Sequence, residues 1–338
     1  MAIANAKSAT WQLGEGSRFN LKKSWWWLVI VLTVLIGYRH EVGGDWWNYI
    51  RSLKSFYPIT KGDIGYRILE RLSIEFNWGI YGVNAIGGLL FSLGLISFCR
   101  NLPRPWLAIS ISVPYLVIVV GMGYTRQIIA FGLAMLGLVA LSRGSVKKFV
   151  FCVFFGATFH KSAVLLLPIA ALAATRKRIW IFVWIAVSVV GAYLLFLAES
   201  VDSLYANYIE AEFHSQGALV RLLMNAVPAL FLLYRRRQFE MTLQQMRLWL
   251  SFSLISLTLL VAYFFTPSTT ALDRVALYML PLQLAVFCYI PEVLGTNRTR
   301  NQLYVVFILI YYATIQLVWL NFANHSSAWL PYNNWFFI

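Results

Sequence analysis

The chain has 338 residues, of which 60% are hydrophobic and 12% are charged. A mean hydropathy of +0.67 excludes a water-soluble globular protein. The formal net charge of +15 would suit a nucleic-acid partner. However, the basic residues form short clusters between apolar runs, as in the loops of a membrane protein. We therefore expect a multi-pass membrane protein that contacts lipid and has no nucleic-acid partner.

Eleven apolar stretches predict membrane-crossing helices, at roughly 20 residues for a full crossing. In chain order they are 24–38, 79–99, 106–122, 124–142, 149–159, 162–175, 179–198, 218–234, 248–265, 275–290 and 303–321. His160 and Lys161 divide the stretch 149–175. Because charge at mid-bilayer is costly, we predict a hairpin of two short helices with this pair at its tip rather than one straight helix.

Eleven crossings put the two termini on opposite sides, and the basic clusters between the spans place the N-terminus inside and the C-terminus outside. On this threading the inner segments carry 18 of the 28 basic residues and 3 of the 13 acidic ones. This asymmetry is the positive-inside pattern. We expect an all-α integral membrane protein, with residues 1–23 as a cytoplasmic tail and residues 24–338 as one polytopic domain. Its main outer loops are predicted at 39–78 and 199–217.

The first predicted outer loop is rich in ionisable and aromatic residues. Arg39, Glu41 and Asp45 lie within seven positions of one another, beside Trp46 and Trp47. One interpretation is a charge network that holds the end of a helix. The other is a functional site, with Arg39 binding an anion, Asp45 acting as a base and the tryptophans supporting a sugar ring.

A second segment of this loop predicts a helix at the membrane surface. From Ile64 to Leu72 the apolar positions recur at helical spacing, and charged residues occupy the opposite face. Asp63 precedes this segment and is of a residue type that caps helix N-termini.

Four basic residues lie near the N-termini of helices predicted to run inward from the outer face: Arg126, Lys161, Arg221 and Arg274. Helix N-termini carry unpaired N–H groups and a partial positive charge, so added cations concentrate positive potential there. Arginine also suits bidentate binding of phosphate. Snorkelling of each side chain to the headgroups is the alternative interpretation.

An ordered series of short motifs carries a resemblance to a known family. The series is Arg39-x-x-Val42-Gly43-x-Asp45-x-x-x-Tyr49, then Gly65-Tyr66, Arg126-Gln127 followed by Ile128-Ile129-Ala130, Phe159-His160-Lys161-Ser162-Ala163, and Asp273-Arg274 with Tyr278. It resembles the EpsG family of exopolysaccharide proteins, relatives of the Wzy-type O-antigen and capsule polymerases. The resemblance covers roughly residues 39–163 and 270–280. Where Gly44 stands, the family usually has a bulkier residue.

This resemblance implies a helix bundle like that of the GT-C glycosyltransferases. It also implies that a glycan on undecaprenyl pyrophosphate is transferred to a hydroxyl of an incoming lipid-linked repeat unit. The reaction would take place on the outer leaflet of the bacterial cytoplasmic membrane. A chain-length regulator is a further partner that the resemblance allows.

Such a transfer requires cations for the departing pyrophosphate and a base for the acceptor hydroxyl. The candidates for the pyrophosphate are Arg39, Arg126 and Arg274, with Gln127, Lys161 and Arg221 beside them. The candidates for the base are Asp45, Glu41 and His160. The aromatic candidates for glycan binding are Trp46, Trp47, Tyr49, Tyr66 and Tyr278.

No metal-ligand spacing occurs on the predicted outer loops, so we expect no divalent metal and no other cofactor. Three other functions remain open at this point. A GT-C glycosyltransferase would add a single sugar from a polyprenyl monophosphate donor and would give no ladder of products. A flippase or transporter of lipid-linked oligosaccharide would have charges at the midplane and repeated halves. An acyltransferase would use His160 as its base.

Overall fold

A computed structural model describes residues 23–55, 62–169, 183, 217–266, 269–295 and 297–338. Within them the chain forms helices and one two-stranded sheet. In order, the helices are α1 (Lys23–Gly37), α2 (Trp46–Lys54), α3 (Ile64–Glu75), α4 (Gly79–Arg100), α5 (Pro105–Ser112, continued by a π-helix at Val113–Gly121), α6 (Thr125–Ser142), α7 (Val146–Phe159), a 3₁₀ helix (Lys161–Leu166), α8 (Ala218–Arg235), α9 (Leu243–Tyr263), α10 (Thr270–Met279), α11 (Pro281–Leu294) and α12 (Arg298–Phe322). Short 3₁₀ turns occupy Arg236–Gln238, Ser326–Ala328 and Trp335–Phe337, and the strands are β1 (Arg39–His40) and β2 (Asn333–Asn334).

Five of these helices are long and apolar enough to cross a membrane, namely α4, α6, α8, α9 and α12. Helices α10 and α11 together form a sixth candidate, bent by 42°. The bend falls where Pro281 lacks the N–H that a continuous helix would use. Two shorter apolar helices cover Ser24–Gly37 and Pro105–Gly121. The described residues thus confirm an all-α membrane protein, while the count of eleven spans, the orientation and the GT-C-like bundle stay predictions.

Every predicted span within the described residues coincides with helix. The stretch 149–175 is broken at His160, whose backbone is extended (φ −155°, ψ 111°) between α7 and the 3₁₀ helix. The predicted hairpin itself depends on residues 170–175, which lie outside the described part. The span 179–198, apart from position 183, and the loop 199–217, apart from its last residue, lie outside it too.

Close helix packing brings the first half of the bundle together. Helix α4 packs against α1 on one side and α6 on the other, and α6 also packs against α7. At the α4–α6 crossing, a Cβ on Gly94 would collide with the backbone of Gly132. Small residues of this kind let helices within a membrane approach to backbone contact. In the second half, α8 packs against α9, α10 and α11.

The helix ends fall into two groups. At one end, Arg104 before α5 pairs with Glu292 in α11 at 2.7 Å, and Arg143 after α6 donates to Asn101 after α4 at 2.8 Å. We call this the basic end. We call the opposite end the mouth, where α1 and α7 finish and where α4, α6 and α10 begin.

The predicted outer loop 39–78 folds largely as α2 and α3. Helix α3 begins at Ile64, as its spacing predicts, and runs to Glu75. It buries Tyr66 and Leu69 and leaves Ile64 and Ile68 exposed. Asp63 occupies the predicted N-cap position, but its side chain makes no capping hydrogen bond. The carboxylate instead contacts Arg126 and Lys161.

The segment after α12 returns to the first loop. Strands β1 and β2 pair antiparallel, with Arg39 opposite Asn334. The Gly43 N–H donates to the Ala328 carbonyl at 2.8 Å. Gly43 has φ of +104°, a conformation that glycine adopts readily and L side chains rarely do. Trp329 packs into the same place, and its indole N–H donates to the Ile118 carbonyl at 2.9 Å. This tail therefore fixes the path of residues 39–44.

Candidate functional site

Arg39 lies beneath the mouth, enclosed by protein. Its side chain is 1% exposed. Nε donates to the Val42 carbonyl at 3.1 Å and Nη1 to the Ile36 carbonyl at 2.5 Å. Nη2 donates to Thr125 Oγ1 at 2.8 Å and lies 3.4 Å from Asn84 Oδ1. The guanidinium therefore ties α1 and its following loop to α4 and α6, and it does not open into the mouth.

The acidic residues of the first loop lie nearer the surface. Asp45 precedes α2 without capping it, is partly buried and accepts a hydrogen bond from Asn48 at 3.2 Å. Glu41 is exposed and has φ of +55°. Its carboxylate lies 3.8 Å from His40, whose Nδ1 contacts the Tyr81 hydroxyl. Neither predicted base makes an ion pair with an arginine that the structure shows.

Arg126 is an accessible arginine of the mouth with a defined partner. It lies in the first turn of α6, its side chain is 45% exposed, and Nη1 is 3.4 Å from Asp63 Oδ2. Its guanidinium lies 5.8 Å from the centre of the Tyr66 ring and also interacts with the Tyr49 hydroxyl. The neighbouring Gln127 is 6% exposed, and its Nε2 has no partner among the described residues.

The break after α7 brings two more predicted residues, His160 and Lys161, close to Asp63 and Arg126. The backbone N–H of Lys161 donates to Asp63 Oδ1 at 3.3 Å. Burial, together with the positive charges of Arg274 and Arg126, lowers the pKa of His160 to about 3. His160 is therefore neutral at physiological pH and a weak proton acceptor, which argues against it as the base.

Helix α10 packs beside the break after α7 and brings Arg274 and Tyr278 to it. The Tyr278 hydroxyl lies 3.1 Å from Ser162 Oγ, next to Lys161 at the break. Arg274 lies four residues before Tyr278 on α10, so both occupy one helix face. Arg274 is close enough to His160 to disfavour its protonation. Arg126, Lys161 and Arg274 therefore converge, and we call these three residues the cationic cluster.

Arg221 has different surroundings. It is 4% exposed, its Nε donates to the Tyr115 hydroxyl at 2.8 Å, and its Nη1 forms an ion pair with Asp273. These contacts join α8 to the π-helix and to α10. Arg221 is thus built into the wall of the bundle, unlike the half-exposed Arg126.

The predicted aromatic residues of the first loop form one buried cluster. Trp46, Tyr49 and Tyr66 pack together with residues of α4, α6 and α7. The rings of Tyr49 and Tyr66 are 5.9 Å apart. The indole N–H of Trp46 and the hydroxyl of Tyr66 have no hydrogen-bond partner among the described residues. Trp47 is 57% exposed on the outer side of α2.

Two parts of this arrangement escape the sequence reasoning. The first is Asp63, which contacts both Arg126 and Lys161. Its position before α3 predicts a helix cap and not a contact with these cations. No local pattern reveals a partner 98 residues away. The second is the pair Asn84 and Thr125, which holds Arg39. A polar Asn84 inside an apolar span is a signal that points to a buried partner.

Within the described ranges, no group of three or more His, Cys, Asp or Glu side chains has an arrangement that would hold a metal ion. The three cysteines are free thiols. The expectation of metal-independent chemistry stays a prediction.

A bundle of apolar helices with a cationic, aromatic-lined mouth defines a multi-pass membrane protein. The chain belongs to the EpsG family, whose sequence model matches residues 23–334, nearly the whole chain. EpsG proteins are a family of Wzy-type polysaccharide polymerases, glycosyltransferase-type enzymes that use lipid-linked oligosaccharides. No curated protein and no solved structure gave a significant match.

Proposed function

We propose that this protein joins undecaprenyl-pyrophosphate-linked repeat units into exopolysaccharide, capsule or O-antigen. The growing glycan leaves its lipid pyrophosphate and is transferred to a hydroxyl of the next lipid-linked unit, without a metal ion. The reaction takes place at the mouth, on the outer leaflet of the bacterial cytoplasmic membrane. The observation that carries this proposal is the convergence of Arg126, Lys161 and Arg274 at the break after α7, where Arg126 and Lys161 contact Asp63 and Arg274 lies close to His160.

The net positive charge of the cationic cluster supports a pyrophosphate ligand. Arg126 and Lys161 act on Asp63, and Arg274 joins them through its closeness to His160. These three cations exceed the charge of the ionised Asp63 carboxylate by two. A pyrophosphate that links a lipid to a sugar has two acidic oxygens and about two negative charges at neutral pH. Preorganised cations of this kind stabilise the further charge that develops as the bond to the sugar breaks.

The other predicted residues take supporting roles in this proposal. Arg39 positions the loop that carries Asp45, and Arg221 holds α8 against α10. The donors of Trp46, Tyr66 and Gln127, which have no partner within the described part of the chain, supply hydrogen bonds for sugar hydroxyls, since buried donors are nearly always satisfied in the functional state. Trp47 supplies an exposed ring on which a sugar can stack.

The distribution of charge supports the outward orientation of the mouth. The basic end carries Arg100, Arg104 and Arg143 together with the run Arg235–Arg237. Cytoplasmic segments of membrane proteins carry this excess of Lys and Arg. With the basic end in the cytoplasm, the mouth faces the periplasm or the cell exterior.

The test uses the full chain in nanodiscs, with lipid-linked oligosaccharides extracted from the source cells. We expect a ladder of products separated by one repeat unit. Arg126→Ala and Arg274→Ala should each weaken binding of undecaprenyl pyrophosphate by roughly tenfold or more, the usual effect of losing a charge-assisted hydrogen bond. Both variants should also lose the ladder.

Arg51→Ala is the matched control, because Arg51 is an outer basic residue whose described contacts are confined to α2. It should bind and polymerise like the wild type. A single added sugar would instead support a GT-C transferase. Movement of the lipid across the bilayer without any new linkage would support a flippase, and either result overturns the proposal.

A further inference from the structure

Asp63 stands out among the carboxylates of the mouth. It is 7% exposed, yet its two oxygens face two members of the cationic cluster: Oδ2 lies 3.4 Å from Arg126 Nη1, and Oδ1 accepts the Lys161 N–H at 3.3 Å. It also lies close enough to the Tyr278 hydroxyl to interact with it electrostatically. A single carboxylate therefore sits where α3, α6, the α7 break and α10 meet.

The other acidic residues near the mouth are committed elsewhere or lie apart. Glu70 accepts hydrogen bonds from Arg67 at 2.6 Å and from Ser52 at 2.7 Å, which fixes α3 against α2. Asp273 forms its ion pair with Arg221 in the bundle wall.

The two acids proposed from the sequence alone differ from Asp63 in their neighbours. Asp45 accepts a hydrogen bond from a neutral amide, that of Asn48, and Glu41 is exposed beside His40. Neither carboxylate touches the cationic cluster in the structure.

We infer that Asp63 is the catalytic base that takes the proton from the acceptor hydroxyl, an inference that rests on the proposed function. In this step the acceptor oxygen forms a bond to the anomeric carbon of the growing glycan. The bond from that carbon to the pyrophosphate oxygen breaks, and its electron pair leaves with the lipid pyrophosphate. The hydroxyl proton moves to an Asp63 carboxylate oxygen, so the step balances without another reactant.

The partner of Asp63 gives this base a way to become active only when substrate is bound. Arg126 is half exposed and faces the mouth, so an arriving pyrophosphate can bind it and draw it away from Asp63. Burial raises the pKa of the Asp63 carboxyl, and Arg126 is the strongest of the groups that oppose this rise. Losing that cation makes the carboxylate more basic, at the moment when the acceptor must be deprotonated.

Asp63 takes the proton and also competes with pyrophosphate for Arg126. Removing its charge should therefore lower turnover without weakening pyrophosphate binding. Asp63→Asn keeps the size of the side chain and an acceptor for the Lys161 N–H, but it removes the negative charge that competes for Arg126. We expect kcat for polymerisation to fall by roughly 10²–10⁴-fold, the usual contribution of a general base. In the same nanodiscs, undecaprenyl pyrophosphate should bind at least as tightly as to the wild type. Asp63→Glu should recover part of the turnover.

Glu75→Gln, a change at an exposed acid on the same helix, is the control and should keep wild-type turnover. A purely structural role for Asp63 would lower Tm and weaken pyrophosphate binding along with kcat, which overturns the inference. So would an Asp63→Asn enzyme within threefold of wild-type kcat, or a loss of turnover seen in Asp45→Asn instead. If the wild type itself makes no polymer, the proposed function fails, and the assignment of Asp63 fails with it.

Discussion

Replacing Arg39 with alanine tests whether this residue holds the fold or the substrate. The change removes four hydrogen bonds at a site that is 1% exposed. Thr125 still donates to Asn84 at 2.8 Å, so these two side chains stay paired. The carbonyls of Ile36 and Val42 lose their side-chain donor, and a buried polar group left unpaired costs about 1–3 kcal/mol. We therefore expect a loss of about 2–6 kcal/mol.

This loss is large beside a total stability of about 5–15 kcal/mol. At roughly 2 °C per kcal/mol for a chain of this size, Tm should fall by about 4–12 °C. The assay is thermal unfolding in nanodiscs followed by tryptophan fluorescence. Arg126→Ala is the comparison: because Arg126 is half exposed, its Tm should stay within about 2 °C of the wild type. An Arg39→Ala protein with wild-type Tm but weakened pyrophosphate binding would show that Arg39 holds the ligand.

Two other substitutions test the tail and the α7 break. Trp329→Ala should release the segment after α12 from the first loop. The Gly43 amide, bonded to Ala328, and the Trp335 amide, bonded to Tyr38, should then exchange hydrogen faster, as measured by mass spectrometry. Trp27→Ala, at an exposed site, should leave their exchange unchanged, and equally slow exchange in both variants would show that Trp329 does not hold the segment in place. The pKa of His160 is about 3, below its ordinary 6.5, so the unfolded chain takes up this proton more readily and the fold loses stability as pH falls through 6.5. From pH 8 to pH 5 this costs about 2 kcal/mol. His160→Gln should remove that part of the pH dependence of Tm. An unchanged dependence would show that folding does not lower the pKa of His160.

Hydropathy and charge predict most of the fold because the bilayer imposes them on the sequence. Apolar runs bounded by basic clusters form helices wherever the chain is described, and the polar pair His160-Lys161 coincides with the break after α7. Helix α3 began at Ile64 because its apolar positions already recur at helical spacing. These are local signals, each readable within some twenty residues.

The site depends on contacts that no local signal contains. Arg39 and Arg126 look alike in the sequence, yet one is 1% exposed and the other is 45% exposed. Burial of this kind follows from how α1, α4 and α6 pack, so residue type alone could not separate a structural arginine from an accessible one. The position of Asp63 before a helix likewise predicts a cap, whereas its partners lie 63 and 98 residues further along.

The sheet between β1 and β2 has a consequence for how the protein is made. Asn334 donates to the Val34 carbonyl across 300 residues of chain, and its strand lies against Arg39. The first loop thus leaves the ribosome 300 residues before the strand that holds it in place. On the proposed function, the loop that carries Asp45 reaches its working position only once that strand has been made. Nascent chains stalled before residue 329 would hold their helices in the lipid and lack polymerase activity.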